Sequence, residues 1–357
     1  MSKAVKILVL AMEPAGYTLA LAREVLVPLG AQVAFVKGMS PVGKDSDREG
    51  VASWGFFRRW GWYRRVLREF DAVVVNSYVD RCCVELLAAR LLFGGRCQVA
   101  VNADSPLKIP RGFFKRWLKA RWLGFWFGRP WAWGFACGTG SHMDFYRHYG
   151  LAERRLQHMP LVVDTRDYLA LTRTESGPGR LRLGFVGRLV DCKNLPVLLR
   201  AMAKTEDGCT LTVVGDGPER ARLERLAETL GVGGRVRFLG MRFGAEKLAA
   251  LREMDALALV SSSEAWGLAV NEALASGLPV VVSEAVGCRQ DLVEADPPAG
   301  LVVKTGDVDD LAAAIGRLSN DVELRRTLGA NGRRRMRGWD YELYRRCWRR
   351  WADSFAI

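Results

Sequence analysis

Short β-branched or aliphatic runs alternate with helical patterns along almost the whole chain, and this alternation is the mark of βαβ units and parallel sheets. It dictates an α/β fold. In the first half, strands are expected at Lys6–Ala11, Gln32–Lys37, Ala72–Asn76, Gln98–Asn102, Phe135–Gly138 and Gln157–Val163, with helices near Tyr17–Leu29 and Asp80–Phe93. The second half restarts the series with strands at Leu181–Val186, Thr210–Gly215, Val236–Leu239, Ala256–Val260, Pro279–Ser283 and Leu301–Val303. Its helices are expected at Leu195–Ala203, Glu219–Leu230, Ala245–Met254, Val270–Ser276, Val308–Leu318 and Val322–Arg337. Between the two series, Thr165 to Arg180 holds Thr172, Thr174, Ser176 and Gly177-Pro178-Gly179, a composition suited to a linker. A chain of 357 residues also exceeds what one core serves efficiently.

The expected layout is therefore a Rossmann-like domain over residues 1–165, a linker over 166–180, a second Rossmann-like domain over 181–338 and a C-terminal helix over 339–357. Tyr341, Tyr344, Trp348, Trp351 and Phe355 fall on one stripe of that helix, which is expected to pack back over the junction toward the first domain. Two doubly wound domains facing each other bring their ligand crevices, at the carboxyl ends of the strands, to opposite walls of a cleft.

A net charge of +14 implies an acidic partner: nucleic acid, an anionic membrane or a phosphorylated substrate. The eight cysteines form no CxxC pair and the histidines no ligand cluster, so reduced thiols are expected and no metal site. Met1 to Met12 reads as a first strand, its apolar run being short for a secretory leader. Leu123 to Cys137 is broken by Arg129 and Pro130 and falls short of the roughly 20 residues that span a bilayer. A cytoplasmic protein is expected, with no transmembrane helix.

Chemistry concentrates in the second half. Gly184-Phe185-Val186-Gly187-Arg188-Leu189 followed by Lys193 sets two cations five residues apart just after a strand. A guanidinium forks onto phosphate oxygens and an ammonium acts as a point charge, the pairing that a diphosphate leaving group requires. Downstream, Glu264-Ala265-Trp266-Gly267-Leu268-Ala269-Val270-Asn271-Glu272 puts one carboxylate in a loop and the other in the second turn of a helix, with N–H groups near Gly267, Leu268 and Ala269 to meet phosphate. Carboxylates accept hydrogen bonds from sugar and ribose hydroxyls. The turn Val214-Gly215-Asp216-Gly217-Pro218 reads either as architecture or as a ligand contact.

These motifs, in this order, resemble the GT-B-fold retaining glycosyltransferases of family 4 across nearly all of the second half. The resemblance implies that Arg188 and Lys193 hold the diphosphate of a UDP- or GDP-sugar, that Glu264 contacts the sugar and Glu272 the ribose, and that no metal or other cofactor is needed. It also implies retention at the anomeric carbon, with the leaving diphosphate taking the acceptor proton. Gly287 matches a glycine of the family's next loop, while Cys288 stands where a second glycine is usual. Asp307-Val308-Asp309 sits at a helix start, where acidic residues are favoured for structural reasons.

Acceptor recognition falls to the first half. Glu13-Pro14-Ala15-Gly16-Tyr17 follows the first strand where the family has a glycine-bearing loop near the donor, which singles out Gly16. Asp104, after the strand Gln98–Asn102, is the candidate for steering the acceptor hydroxyl, although an Asp two residues before Pro106 also opens a turn. His142 is a second candidate, weighed against a structural role. Residues 54–65 and 107–133 interleave bulky aromatics with cations, including Arg111, a pattern for the headgroup layer of an anionic membrane or for a core element under a cationic face. The favoured acceptor is a lipid-linked saccharide or envelope glycolipid at the inner face of the cell membrane, with a soluble acceptor or secondary metabolite as the alternative.

Other classes fit less well. A nucleic-acid-binding protein accounts for the charge and aromatics, but the basic residues spread over both halves without a binding module, so no nucleic-acid partner is expected. A Rossmann oxidoreductase would need a GxGxxG turn with a downstream acid, and none stands after a strand here. A glycosidase using Glu264 and Glu272 would act without nucleotide.

Overall fold

The computed structural model describes residues 5–13, 15–37, 50–110 and 112–354; Pro14, Arg111 and Phe355 lie outside them. Among the described residues the strands form two six-stranded parallel sheets. The chain divides into one unit of Met1–Leu161 with Tyr341–Ile357, and another of Val162–Asp340.

In the first unit, β1 (Ile7–Ala11), β2 (Gln32–Phe35), β3 (Ala72–Val75), β4 (Gln98–Ala103), β5 (Ala132–Ala136) and β6 (Leu156–His158) lie in the order β2-β1-β3-β4-β5-β6. Strands such as Ala72-Val73-Val74-Val75 are buried along their whole length, as parallel strands covered on both faces must be. The intervening helices are α1 (Gly16–Leu21), α2 (Phe56–Glu69), α3 (Arg81–Phe93), α4 (Phe113–Phe127) and α5 (Ser141–His148). The basic aromatic segments are thus helices, and each divides its aromatics. Tyr63, Trp126 and Phe127 enter the core, whereas Phe56, Phe57, Phe113, Phe114 and Trp117 are exposed. The core reading thus holds for part of each helix, and the rest of its aromatics stand exposed.

The second unit holds β7 (Leu181–Val186), β8 (Cys209–Val214), β9 (Val236–Gly240), β10 (Ala256–Leu259), β11 (Val280–Ser283) and β12 (Gly300–Val303) in the order β12-β11-β10-β7-β8-β9. Its helices are α6 (Arg166–Leu169), α7 (Leu195–Met202), α8 (Arg220–Thr229), α9 (Gly244–Arg252), α10 (Leu268–Ala275), α11 (Val308–Asn320) and α12 (Val322–Met336). Asp307 caps α11, accepting from the N–H groups of Asp309 and Asp310 at 3.0 Å each, so the Asp-x-Asp is a helix start.

Residues 166–180 are not a free linker but part of the second unit. Their composition hid their partners, which lie far along the chain. Arg173 donates to the carbonyls of Met254 at 2.8 Å and Ser276 at 3.0 Å, Arg325 to that of Ser176, and Arg333 to those of Leu169 and Leu171. Asp255, with its side chain fully buried, accepts from the Ser176 N–H at 3.1 Å and from Arg182 through both oxygens. Burial pushes the Asp255 carboxyl up, but the bonds from Arg182 and Ser176 outweigh it and hold the group below its ordinary 3.8. A carboxylate depressed in the folded state contributes stability above its unfolded pKa and loses it as pH falls through the folded value. Asp255→Asn is expected to lower stability by about 2–3 kcal/mol at neutral pH, the half-exposed arginine softening the loss. Below about pH 4 the gap from wild type should narrow, as urea melts at each pH would register.

The last helix, α13 (Tyr341–Asp353), packs within the first unit. Tyr344, Trp348 and Trp351 are buried, and the Trp351 ring stands edge-on to Phe135 at 4.7 Å. Arg345 ties the helix to the Glu24 carbonyl at 2.5 Å.

Candidate functional site

In a doubly wound sheet the ligand crevice opens at the carboxyl ends of the two strands where strand order reverses. In the second unit that reversal lies between β7 and β10, neighbours in space though not in sequence. The loop after β7 carries Gly187, Arg188 and Lys193; the loop after β10 carries Glu264. The Lys193 ammonium meets the Glu264 carboxylate there, and Ser261 Oγ lies 3.4 Å from the same oxygen.

Backbone ties fix these loops. The Glu264 N–H donates to Ala285 at 3.2 Å, the Gly287 N–H to Glu264 at 3.1 Å, and the Ser262 N–H to Cys192 at 2.8 Å. Glu264 is thereby stitched both to the loop bearing Lys193 and to the loop after β11. Cys288, at the position of the family's second glycine, is buried, and its N–H bonds the Trp266 carbonyl at 3.0 Å. Trp266 is buried too; its indole N–H donates to Asn271 at 2.9 Å and its ring stacks on Trp339. Gly267 has φ +104°, and a Cβ there would lie 2.9 Å from Leu259, so a glycine is needed for the chain to turn into α10.

The turn Gly215-Asp216-Gly217 has a packing role. It presses against the Arg188 loop: the Leu189 N–H donates to the Asp216 carbonyl at 2.9 Å, and a Cβ on Gly215 would fall 1.8 Å from the Gly187 carbonyl oxygen. Gly215→Ala is expected to cost about 2–3 kcal/mol of stability and to weaken binding of any anionic ligand by displacing Arg188. Urea melts with and without ligand would separate the two effects. Arg188 itself is exposed.

Glu272, on α10, joins neither Lys193 nor Glu264. Its Oε1 accepts from Lys247 Nζ at 2.6 Å and from the Tyr168 hydroxyl at 3.1 Å. The Lys247 ammonium also lies 5.6 Å from the Tyr168 ring centre. Burial, reinforced by the Glu272 charge, pushes the Tyr168 hydroxyl far above its ordinary range, so it stays a donor. Sequence reasoning missed both partners. Tyr168 sat in the supposed linker and Lys247 on an ordinary amphipathic helix; only the fold makes them neighbours. There are thus two separate lysine–glutamate pairs, each mostly shielded from water, one at the β7/β10 reversal and one on α10. Among the described residues no group of three or more His, Cys, Asp or Glu side chains is placed to hold a metal ion.

The first unit has its own reversal, between β1 and β3. At those carboxyl ends lies a cavity of about 240 Å³ whose lining includes Met12, Glu13, Tyr17, Asn76, Asn102 and Asp104. Asp104 is exposed at its edge, and burial, with added repulsion from Asp104 and Glu13, pushes the Tyr17 phenol up. Gly16 opens α1; a Cβ there would meet nothing within 4 Å, so no crowding demands glycine. His142 is buried in the first unit. No helix among the described residues is long and apolar enough to cross a membrane.

Residues 173–335 match the family described as glycosyl transferases group 1. A lipopolysaccharide core biosynthesis glycosyltransferase, LpsD of Rhizobium meliloti (strain 1021), is 39% identical over 152 residues, covering 43% of each chain. A D-inositol 3-phosphate glycosyltransferase of Corynebacterium jeikeium (strain K411) is 37% identical over 157 residues, 41% of this chain and 37% of that one. The chain spans less than half the length of these curated relatives. Among solved structures, Anabaena Alr3699/HepE in complex with UDP-glucose superposes with TM-score 0.76 at 19% identity, covering 98% of this chain and 99% of that one. The lipopolysaccharide outer core galactosyltransferase WaaB reaches TM-score 0.74 at 15% identity, with 99% of both chains covered. The fold is GT-B.

Proposed function

We propose, from the premise that residues 173–335 are a glycosyl transferases group 1 domain, that this chain moves a hexose-type sugar from a UDP- or GDP-sugar to an acceptor hydroxyl. The observation that carries this reading is the meeting of Lys193 and Glu264 at the β7/β10 reversal, beside the exposed Arg188. A diphosphate there draws Lys193 and Arg188 onto its oxygens, and Glu264 turns its acceptor oxygens to sugar hydroxyls. Glu272, held by Lys247 and Tyr168, takes the ribose. Cation charge on the departing diphosphate lowers the barrier without a metal; the acceptor oxygen bonds to the anomeric carbon on the face from which the diphosphate leaves as its bond to that carbon breaks, which retains configuration, and the diphosphate takes the acceptor proton. Asp104, at the first unit's cavity, orients the acceptor hydroxyl.

The acceptor in this reading is a lipid-linked saccharide or envelope glycolipid. Two curated relatives are named for lipopolysaccharide core biosynthesis. Exposed Phe113, Phe114 and Trp117 alternate with Lys115, Arg116 and Lys119 on α4, a chemistry suited to peripheral binding at an anionic membrane. The test is a thermal-shift panel of UDP-, GDP- and ADP-sugars, followed by transfer assays with saccharide and glycolipid acceptors and NMR of the product anomer. Stabilisation by one UDP- or GDP-sugar and an axially retained product are expected. Salt-sensitive RNA binding with no response to any nucleotide sugar would overturn the reading.

A further inference from the structure

Parallel strands gather their starts at one edge of a sheet as surely as their ends at the other. At the amino ends of β3, β4, β5 and β6, on the edge opposite Asn76, Asn102 and Asp104, the first unit carries a cavity of about 810 Å³. Its lining includes Arg68, Arg96, Arg155, Asp71, Gln98 and Trp133. The volume falls within the range of small-molecule pockets.

Three arginines line the cavity against one aspartate, and the Asp71 carboxylate is already engaged by the Lys6 N–H at 2.8 Å. Arg147, Arg182, Arg220 and Arg326 each pair with a carboxylate, but among the described residues Arg68 and Arg96 have no carboxylate within ion-pair distance. Arg155 spends one donor on the Arg129 carbonyl at 2.9 Å and keeps the others. Burial, with help from Arg154, holds the Arg155 guanidinium below its ordinary value, a strain that an anion would relieve. The polar wall is built rather than loose. Trp133 donates its indole N–H to Gln98 Oε1 at 3.1 Å, Gln98 donates to the Arg96 carbonyl at 3.2 Å, and the Trp133 ring meets Trp351 edge-on at 6.5 Å.

We propose that this cavity is a second ligand site, separate from the donor crevice, that binds a phosphate- or diphosphate-bearing molecule through Arg68, Arg96 and Arg155 with a planar or apolar part against Trp133. Guanidinium forks match phosphate oxygens, and the indole face offers the apolar contact. Either a soluble phosphate ester or a phospholipid headgroup carries this chemistry.

Pyrophosphate is the first probe, followed by phosphorus NMR or equilibrium dialysis with the full chain. Because pyrophosphate would also enter the donor crevice, the reference protein is Arg188→Ala/Lys193→Ala. It is expected to keep one pyrophosphate equivalent, and adding Arg68→Ala/Arg96→Ala should weaken that binding by about tenfold or more. Flotation with vesicles containing phosphatidic acid, set against neutral vesicles, forms the second arm. Retention that depends on Arg68 and Arg96 would assign the site to a lipid headgroup, and its lack to a soluble ester. Loss of all pyrophosphate binding in Arg188→Ala/Lys193→Ala, or binding indifferent to Arg68→Ala/Arg96→Ala, overturns the proposal. Circular dichroism and urea melts of the variants separate lost binding from lost fold. Failure here leaves the donor reading untouched, since that reading is tested with nucleotide sugars.

Discussion

Lys193→Ala is expected to lower kcat/KM for sugar transfer by roughly 30- to 5,000-fold, the equivalent of about 2–5 kcal/mol. The residue stands in two relationships at once. Its ammonium neutralises Glu264, whose carboxylate is otherwise touched only weakly by Ser261 at 3.4 Å among the described residues. In the proposed reading its ammonium pairs with the donor diphosphate instead. A purely structural lysine would show itself in a double-mutant cycle: in a Glu264→Gln background, Lys193→Met would then change nothing further. A lysine that also holds the leaving group keeps a large effect on kcat in that background. Unchanged kinetics for Lys193→Ala, with the fold intact by circular dichroism, would remove the site assignment altogether.

The second large effect is on stability. Trp351→Ala should destabilise the protein by about 3–5 kcal/mol, because it empties a fully buried volume between Phe135, Trp348 and Trp133 that no neighbour can refill. For units of this size that corresponds to a fall in Tm of roughly 6–20 °C. The loss should appear in the first unit's transition, while stabilisation of the second unit by nucleotide persists. Calorimetry with and without ligand distinguishes the two transitions, and an unchanged Tm would mean that the helix contributes little to the core.

The alternation of apolar runs and helices was legible because parallel strands buried on both faces must be nearly all apolar, as Ala256–Leu259 and Val280–Ser283 are. Lys193 and Glu264 were legible as members of one candidate site, though not as partners of each other, for a different reason: their loops follow strands, and doubly wound topology brings strand ends together. Lys247 and Tyr168 were not. Their meeting with Glu272 depends on where α6 and α9 lie against α10, and no local pattern encodes that. Residues 166–180 misled for a related reason, since the arginines that satisfy their carbonyls come from helices some 150 residues downstream. The aromatic helices were ambiguous because they are divided: a stripe wide enough to feed the core and to leave Phe113 and Phe114 outside has the composition of both roles.

The placement of α13 in the first unit bears on how the chain acquires its structure during synthesis. Domains generally form as soon as their residues leave the ribosome, amino-terminal ones first. Here the first unit lacks the Trp348 and Trp351 wedge against Phe135 until α13 emerges, whereas Val162–Asp340 has emerged before it. Of the two units, the one whose strands are made earlier is then the later to be completed. A nascent chain halted near Asp340 should hold a nucleotide-competent second unit tethered to an incomplete first one, with Phe135 uncovered and the basic aromatic helices already on display.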